Sequence, residues 1–397
     1  MDRHDGSQDP ETRIRFFDEA EFAARLERAR AELGRRQLDA LLLFAPESLY
    51  YLTGYDSTGY VFFQCGVLSR DGAPPSLLTR RPDVAQARDT SLVRDIRVWY
   101  DAEDARPAEA LRDILAERGL RGARVGVELG TYGLTAANWR RLERALAGWC
   151  ELVDAGDVVR GLRLYKSEAE LAYVREAARL GDGAVSAMIA MARPGRLSGE
   201  VAAAGLGAIL AEGGDIPCEW PIVNCGPRAV YGRSVVGAYR IGLQDQVVFE
   251  FASSYRRYTV CNERTVFVGG ASSRQRAMFE LVRDALEAMT EAARPGRTLG
   301  DIDREHRRIL DAGGYGAHRY GACGYSLGAT YPPTWMDVPP LLYVDNPLAC
   351  APGMVLFPHV MLGDTETRTA VAMGHTIVIT ADGCEVLSRH PLDTITT

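Results

Sequence analysis

The sequence predicts an α/β protein of two domains, and three observations lead to this prediction. Alternating helix and strand patterns fill about the first 160 residues, and two long amphipathic segments, each followed by strands, fill the rest. At 397 residues, the chain is long enough for two or three folding units. A composition with 47% hydrophobic and 25% charged residues is typical of a globular protein.

The amino-terminal domain is expected over residues 1–160. Residues 18–37 carry apolar side chains at helical spacing, and residues 40–44 (ALLLF) then predict a short buried strand. A second strand is predicted at 122–130 and a second helix at 135–146. The carboxy-terminal domain, residues 161–397, opens where Ser167 precedes Glu170 by three positions, which predicts a capping box.

The carboxy-terminal domain contains an internal repeat. The repeated features, in order, are ARPGR (192–196 and 293–297), Gly-Gly (213–214 and 313–314) and Cys-Gly (225–226 and 323–324). Their matching order favours a duplicated half-domain over chance recurrence. Two halves related by a pseudo-two-fold axis would face each other across a cleft, where a ligand site is expected.

Charge and composition exclude several classes of partner. A formal net charge of −7 argues against a nucleic-acid or anionic-membrane surface. The polar, acidic start MDRHDGSQDPETRIRFF does not resemble a signal peptide, and no apolar run is long enough for a membrane span. Eight cysteines without a CxxC pair indicate reduced thiols. We therefore expect a cytoplasmic protein whose partner is a small molecule.

Several segments resemble the pita-bread superfamily of aminopeptidase P, prolidase and creatinase. YYLTGYDSTGYVFF (50–63) looks like the amino-domain signature of this group, and LRLYKSEAELAYVREAARL (162–180) looks like the start of its catalytic domain. The resemblance implies a creatinase-like amino-terminal domain followed by a pita-bread domain with pseudo-two-fold symmetry. It also implies a homodimer in which Tyr60 and Phe62 of one subunit help to cover the substrate of the other.

The metal ligands of the metallopeptidase members are two Asp, one His and two Glu. The residues at those positions here are, in order, Glu250, Cys261, Tyr325, His359 and Gly374. A two-metal site needs bridging carboxylates, so the resemblance implies that the metals have been lost and that no cofactor is required. In the alternative, a single zinc ion would be held by Cys261, Glu263, His359 and His375.

Two segments are more similar to the metal-independent branch. GYSLGATYPPTW (324–335) and FEFASSYRRYTVCNERTVFVG (249–269) look like ectoine hydrolase, which implies that Glu250 attacks a cyclic amidine. The creatinase resemblance implies a catalytic role for Glu263 and places Arg233 near the position of that enzyme's catalytic His.

The residue types support these roles. Glu250 lies in the apolar run VVFEF, where a buried carboxylate needs either a cationic partner, such as Arg264 or Arg256, or a catalytic function. Glu263 and Arg264 are adjacent on a strand and must face opposite sides, so only one of them can enter the cleft.

His359 interrupts an apolar strand and is a candidate proton shuttle, with a structural core His as the alternative. Tyr325 could donate to a developing oxyanion, and Cys261 with His359 as base would make a Cys/His hydrolase.

The sequence thus predicts a metal-independent hydrolase of a C–N bond in a small cyclic amidine, guanidine or amide. Glu250, Glu263 and His359 are the predicted catalytic residues. The predicted substrate-binding residues are Tyr325, Arg233, Cys261, His375, Tyr60 and Phe62. The alternatives are a ring-closing biosynthetic enzyme, a non-catalytic binding protein and a metal-dependent Xaa-Pro dipeptidase.

Overall fold

The chain forms two compact units, Met1–Arg163 and Leu164–Thr397. The computed structural model describes residues 3–5, 14–235 and 237–397, so most of the polar amino-terminal stretch lies outside the described residues. The domain boundary predicted at 160/161 falls inside the last helix of the first unit, Asp157–Arg163.

The amino-terminal unit is built on a mixed seven-stranded sheet. Its strands are β1 (Arg3–Asp5), β2 (Ala40–Leu43), β3 (Cys65–Ser69), β4 (Ser76–Arg80), β5 (Asp95–Trp99), β6 (Arg124–Val127) and β7 (Glu151–Asp154). Its helices are α1 (Glu19–Arg35), α2 (Pro46–Thr53), α3 (Val84–Thr90), α4 (Pro107–Glu117), α5 (Ala136–Leu146) and α6 (Asp157–Arg163). The strand order is β1-β5-β4-β3-β2-β6-β7, and β2, β6 and β7 run parallel.

Strand β2 shows why this sheet is covered on both faces. Leu41 and Leu43 pack into a core with α1 and α6, whereas Ala40 and Leu42 pack into a second core with α4 and α5. Successive side chains of a strand point to opposite faces, so a continuous apolar run such as ALLL is buried on both sides. The predicted α/β organisation of this unit is confirmed.

The carboxy-terminal unit contains four long helices and a nine-stranded sheet. The helices are α7 (Glu168–Met191), α8 (Ser198–Ala211), α9 (Ser273–Ala292) and α10 (Leu299–Ala312). The strands are β8 (Ile222–Cys225), β9 (Asp245–Tyr255), β10 (Tyr258–Val268), β11 (Gly324–Ser326), β12 (Val355–Asp364), β13 (Thr369–His375), β14 (Ile377–Ile379), β15 (Cys384–Val386) and β16 (Ile395–Thr396). The order is β15-β14-β12-β13-β10-β9-β8, with β11 paired to β12 and β16 to β10. None of the helices described in either unit is long and apolar enough to cross a membrane.

The predicted capping box and repeat are both present. The Ser167 side chain accepts from the Glu170 N–H, and the Glu170 carboxylate accepts from the Ser167 N–H. Each ARPGR turn joins a long helix to a 14-residue helix. In each turn, the carbonyl of the last arginine accepts a hydrogen bond from a residue further along the same half-domain. The bonds run from the Ile241 N–H to the Arg196 carbonyl and from the Cys350 N–H to the Arg297 carbonyl.

One face of the sheet is covered by the four helices. Val247 and Phe249 of β9 pack with α7 and α8, and Val360 and Leu362 of β12 pack with α9 and α10. Because side chains alternate along a strand, the intervening residues project from the other face, and the candidate site lies on that face.

Candidate active site

A single row of neighbouring residues crosses four strands of the sheet. Glu250 on β9 lies opposite Glu263 on β10, Glu263 lies opposite Gly374 on β13, and Gly374 lies opposite His359 on β12. Directly opposed residues of antiparallel strands project to the same face. The three predicted catalytic residues therefore share one face, with a glycine between Glu263 and His359.

Gly374 leaves a gap that the His359 side chain occupies. A Cβ atom at position 374 would lie 2.6 Å from His359 Cβ and 2.6 Å from Phe357 Cζ. The imidazole reaches across β13 until Nδ1 is 3.3 Å from Glu263 Oε2. The Phe357 ring stacks against the imidazole with a centroid distance of 5.1 Å. The pairing of His359 with Glu263 thus depends on the missing side chain at 374.

Glu263 is fully buried, and its burial raises the pKa well above the ordinary carboxyl value despite the neighbouring Arg264 charge. Burial also lowers the pKa of His359, which favours a neutral imidazole. A protonated Glu263 can donate its hydrogen to His359 Nδ1, so we assign the imidazole hydrogen to Nε2. The other oxygen, Glu263 Oε1, has no hydrogen-bond partner in the described part of the chain.

We expect Glu263→Gln to lower kcat by about ten-fold or more, because the amide N–H can replace the carboxylic O–H as hydrogen-bond donor to Nδ1 but cannot give up its hydrogen. Glu263→Leu also removes the donor and should lower kcat further. Steady-state kinetics of the two variants would test this. A Gln variant as active as wild type would contradict the transfer of a hydrogen from Glu263 to His359.

The same substitution should change the pH dependence of stability. With its folded-state pKa raised, Glu263 contributes stability that is fully present below about pH 4.3, the unfolded pKa, and is lost as the pH rises toward the folded pKa. The free energy of unfolding should therefore fall less steeply above that pH in Glu263→Gln than in wild type.

Glu250 is buried and hydrogen-bonded to a phenol. The Tyr325 hydroxyl donates to Glu250 Oε1 at 2.8 Å, and Trp335 Nε1 donates to the Tyr325 oxygen at 2.8 Å. Burial is the main cause that raises the pKa of Glu250 to about 7. The alternative of an ion pair with Arg264 does not apply, because the Arg264 guanidinium donates to the Glu263 and Gly374 carbonyls.

Glu250, Tyr325 and His359 line a pocket of about 200 Å³, and Arg233 lies at its exposed edge. All of its lining residues belong to the carboxy-terminal unit. Two further members, Glu219 and Trp335, were not predicted from the sequence. Glu219 belongs to no motif, and Trp335 ends the segment GYSLGATYPPTW without a pattern that would give it a role.

Cys261 and His375 do not line the pocket. Cys261 shares the face of Glu263, but it is fully buried beside Tyr325, and burial raises the pKa of its thiol well above normal. This protonated thiol does not support a Cys/His hydrolase.

His375 is adjacent to Gly374 and projects to the other face, where Nε2 lies 3.0 Å from Thr290 Oγ1 of α9. Burial, then the Arg264 charge, lowers its pKa to about 3. His375 therefore cannot join Cys261, Glu263 and His359 around one zinc ion.

Glu263 and Arg264 face opposite sides of the sheet, as predicted. Arg264 Nη1 donates to the Glu263 carbonyl at 2.8 Å and to the Gly374 carbonyl at 2.6 Å. The guanidinium thus joins β10 to β13 directly behind the row of site residues.

The other two predicted substrate-binding residues belong to the amino-terminal unit. Tyr60 is buried, whereas Phe62 is 44% exposed and carries the Arg80 guanidinium 3.6 Å from its ring centroid. A role for either residue in substrate binding stays a prediction.

A buried group away from the pocket also has metal-ligand types. The described residues bring Asp303, His306 and Cys323 within 4.8 Å of one another. Arg307 Nε donates to Asp303 Oδ2 at 2.5 Å, and His306 Nδ1 lies 3.3 Å from Oδ1. The carboxylate is therefore already neutralised and hydrogen-bonded within the protein.

The residues at the five metal-ligand positions do not fit a two-metal centre. They offer one carboxylate, which accepts from Tyr325, together with a protonated thiol, a phenol, an imidazole paired with Glu263 and a glycine. Two divalent ions require bridging carboxylates to offset their charge, and this set has none left to bridge.

Both domains match known families. Residues 172–381 match the metallopeptidase family M24, and residues 25–165 match the creatinase/prolidase N-terminal domain. Such a two-domain arrangement, with a carboxylate and an imidazole in the pocket of the second domain, defines a pita-bread hydrolase. The chain belongs to the metallopeptidase family M24.

Individual relatives cover almost the whole chain. The ectoine hydrolase of Halomonas elongata is 29% identical over 94% of this chain and 97% of its own. An uncharacterized hydrolase/peptidase, y4tM, of Sinorhizobium fredii is 28% identical over 96% and 99%. The solved structure of an Xaa-Pro dipeptidase from Bacillus anthracis superposes with a TM-score of 0.82 at 22% identity, covering 95% of this chain and 100% of that one. The last comparison supports the fold alone.

Proposed function

We propose that the protein is a metal-independent hydrolase that cleaves a C–N bond of a small cyclic amidine, or of a related guanidine or amide. The observation that carries the proposal is Glu250, a buried carboxylate with a pKa of about 7 that faces a small pocket and has no ion-pair partner in the described chain. A carboxylate in this setting is suited to act as a base or nucleophile near neutral pH. The relative named ectoine hydrolase supports the same chemistry.

The pocket dimensions and lining restrict the substrate. Its volume of about 200 Å³ is below the roughly 300–1,000 Å³ typical of ligand pockets, so a small metabolite fits better than a peptide. Aromatic walls and carboxylates favour a planar cation. Arg233 Nη1 donates only to the Gly232 carbonyl among the described residues, which leaves most of its N–H groups available for a carboxylate on the substrate.

The site residues can supply each proton that the reaction needs. Ionised Glu250 activates attack on the amidine carbon, either directly or by taking a proton from water, and a C–O bond forms. The C–N bond then breaks while the His359 Nε2–H protonates the departing nitrogen, and the Glu263 hydrogen passes to Nδ1. In the direct route, water then attacks the same carbon, its proton returns through His359 to Glu263, and the bond to Glu250 breaks. In the water route, the proton taken by Glu250 returns to Glu263. Either route consumes one water and yields an amide and an amine.

A substrate panel with and without chelator tests the proposal. We expect ring opening of a 2-methyl tetrahydropyrimidine carboxylate, detected by mass spectrometry, at a rate that EDTA dialysis or added Mn²⁺ leaves unchanged within about two-fold, since no step needs a metal. An Xaa-Pro dipeptide serves as the comparison substrate.

Chelator-sensitive cleavage of the dipeptide, with two bound metal ions per chain, would instead establish the dipeptidase alternative. Formation of the cyclic amidine from the open amide without measurable hydrolysis would favour the ring-closing alternative. Binding without turnover of any compound would favour a non-catalytic protein.

A further inference from the structure

Glu219 is a second carboxylate of the pocket. It lies in the segment between α8 and β8 and lines the pocket together with Glu250 and Arg233. Its carboxylate makes no hydrogen bond or ion pair with any described residue, although it is only partly exposed. Burial raises the pKa of Glu219, and the Arg233 charge opposes that effect without a direct ion pair.

Backbone pairing with β9 before and after Glu219 in the chain fixes the position of this residue. Asp215 forms an isolated antiparallel β-bridge with Ser254 of β9, and Ile222 pairs with Glu250 of the same strand. The next residue, Trp220, is 78% exposed, so this segment turns the indole outward and the carboxylate toward the pocket. Two anchors on β9 thus position Glu219 relative to Glu250.

Glu263 cannot serve as the second carboxylate that contacts a bound molecule. It is sealed behind His359 and does not line the pocket, so a bound molecule meets only two carboxylates of the described residues there, Glu219 and Glu250. Tyr325 already donates to one oxygen of Glu250, whereas both oxygens of Glu219 are open to a ligand. An unpaired, partly desolvated carboxylate of this kind is strongly favourable for binding a cationic N–H group.

We propose that Glu219 is a specificity-determining residue that contacts the substrate and selects a cationic amidinium over a neutral amide by accepting its N–H groups. This inference rests on the proposed function and deepens it, because it assigns charge selection to Glu219 and bond cleavage to Glu250. An amidinium carries N–H groups on both sides of its carbon. Glu219 holds one nitrogen while Glu250 faces the carbon.

Calorimetric binding of two matched probes tests the inference without requiring turnover. The probes are a 2-methyl tetrahydropyrimidine, which is a cyclic amidinium, and the neutral lactam of the same ring size. We expect Glu219→Gln to weaken amidinium binding by about ten-fold or more and lactam binding by less than about two-fold. With a substrate that turns over, the loss should appear in KM, with kcat within about three-fold.

Glu212→Gln is the matched control, since Glu212 lies in the same segment but pairs with Arg179 on the surface and does not line the pocket. It should bind both probes as wild type does. Equal effects of Glu219→Gln on the two probes, or no effect, would overturn the inference. So would loss of the effect in an Arg233→Gln background, because Glu219 would then act only through Arg233.

The experiments can contradict the proposed function and the role of Glu219 independently of each other. If wild type binds the amidinium selectively through Glu219 but hydrolyses no member of the panel, charge selection stands and the hydrolase does not. If the panel is hydrolysed but Glu219→Gln binds both probes unchanged, the hydrolase stands and the role of Glu219 does not.

Discussion

Glu250→Gln is expected to lower kcat by about three orders of magnitude or more while the protein stays folded. The amide cannot ionise and is a poor nucleophile, so it can neither attack the substrate carbon nor take a proton from water. Its carbonyl oxygen can still accept from the Tyr325 hydroxyl, which donates to Glu250 Oε1 at 2.8 Å in wild type. The substitution therefore removes the chemistry and keeps the packing.

The role of Glu250 also predicts the direction in which kcat/KM changes with pH. Burial is the main cause that raises the pKa of Glu250 to about 7, and the reactive form is the ionised one. The kcat/KM of wild type should therefore rise with pH through about 7 and then level off, since that profile reports the free enzyme. Residual activity of Glu250→Gln should not show this rise.

Single-turnover kinetics and thermal unfolding of the variant are the measurements required. A Gln variant with more than about a tenth of wild-type kcat would remove Glu250 from the chemistry. A variant that no longer unfolds cooperatively would show instead that Glu250 is needed for the fold, and Glu250→Asp, which can still ionise, would then be the informative substitution.

The fold and part of the site could be predicted from the sequence because both depend on local patterns. The apolar run ALLLF marks a strand buried on both faces, and the ARPGR repeat marks two halves that close in the same way. Strand periodicity alone places the side chains of Glu263 and Arg264 on opposite faces of the sheet. These features need no knowledge of which strands become neighbours.

The remaining features depend on strand register and loop paths. Glu263 is sealed behind His359 only because Gly374 falls between them in the pairing of β10, β13 and β12. No sequence pattern states which residues of β10 stand opposite those of the later β12–β13 hairpin. Glu219 reaches the pocket because its segment is anchored on β9, and an irregular segment has no periodicity from which that path could be inferred.

His375 shows the same dependence on strand register, because the register turns this predicted site residue away from the site. His375 is a predicted substrate-binding residue, but the register that puts Gly374 opposite Glu263 turns it toward α9. The result is a structural histidine beside Thr290. Resemblance at one position therefore does not carry over to its neighbour on a strand, because the two side chains lie on different faces.

Gly374→Glu would place a carboxylate at the last metal-ligand position, and we expect it to destabilise the protein rather than to restore a metal site. The new Cβ would lie 2.6 Å from His359 Cβ, and overpacking of this kind costs about 1–3 kcal/mol. Displacing the imidazole also leaves the buried Glu263 without its partner, which costs about 1–3 kcal/mol more. We therefore expect the free energy of unfolding to fall by several kcal/mol and activity to be lost.

Gly374→Ala separates the steric effect from the charge. It should lower the free energy of unfolding by about 1–3 kcal/mol and reduce kcat, because any Cβ displaces both His359 and Phe357. Gly383→Ala is the control, since a Cβ at that position would meet no described heavy atom within 4 Å and the variant should unfold as wild type does. Urea unfolding and kcat measured on the three variants test the argument. If Gly374→Ala were as stable and as active as wild type, His359 would not depend on the gap at 374, and the proton path from Glu263 through His359 would have to be abandoned.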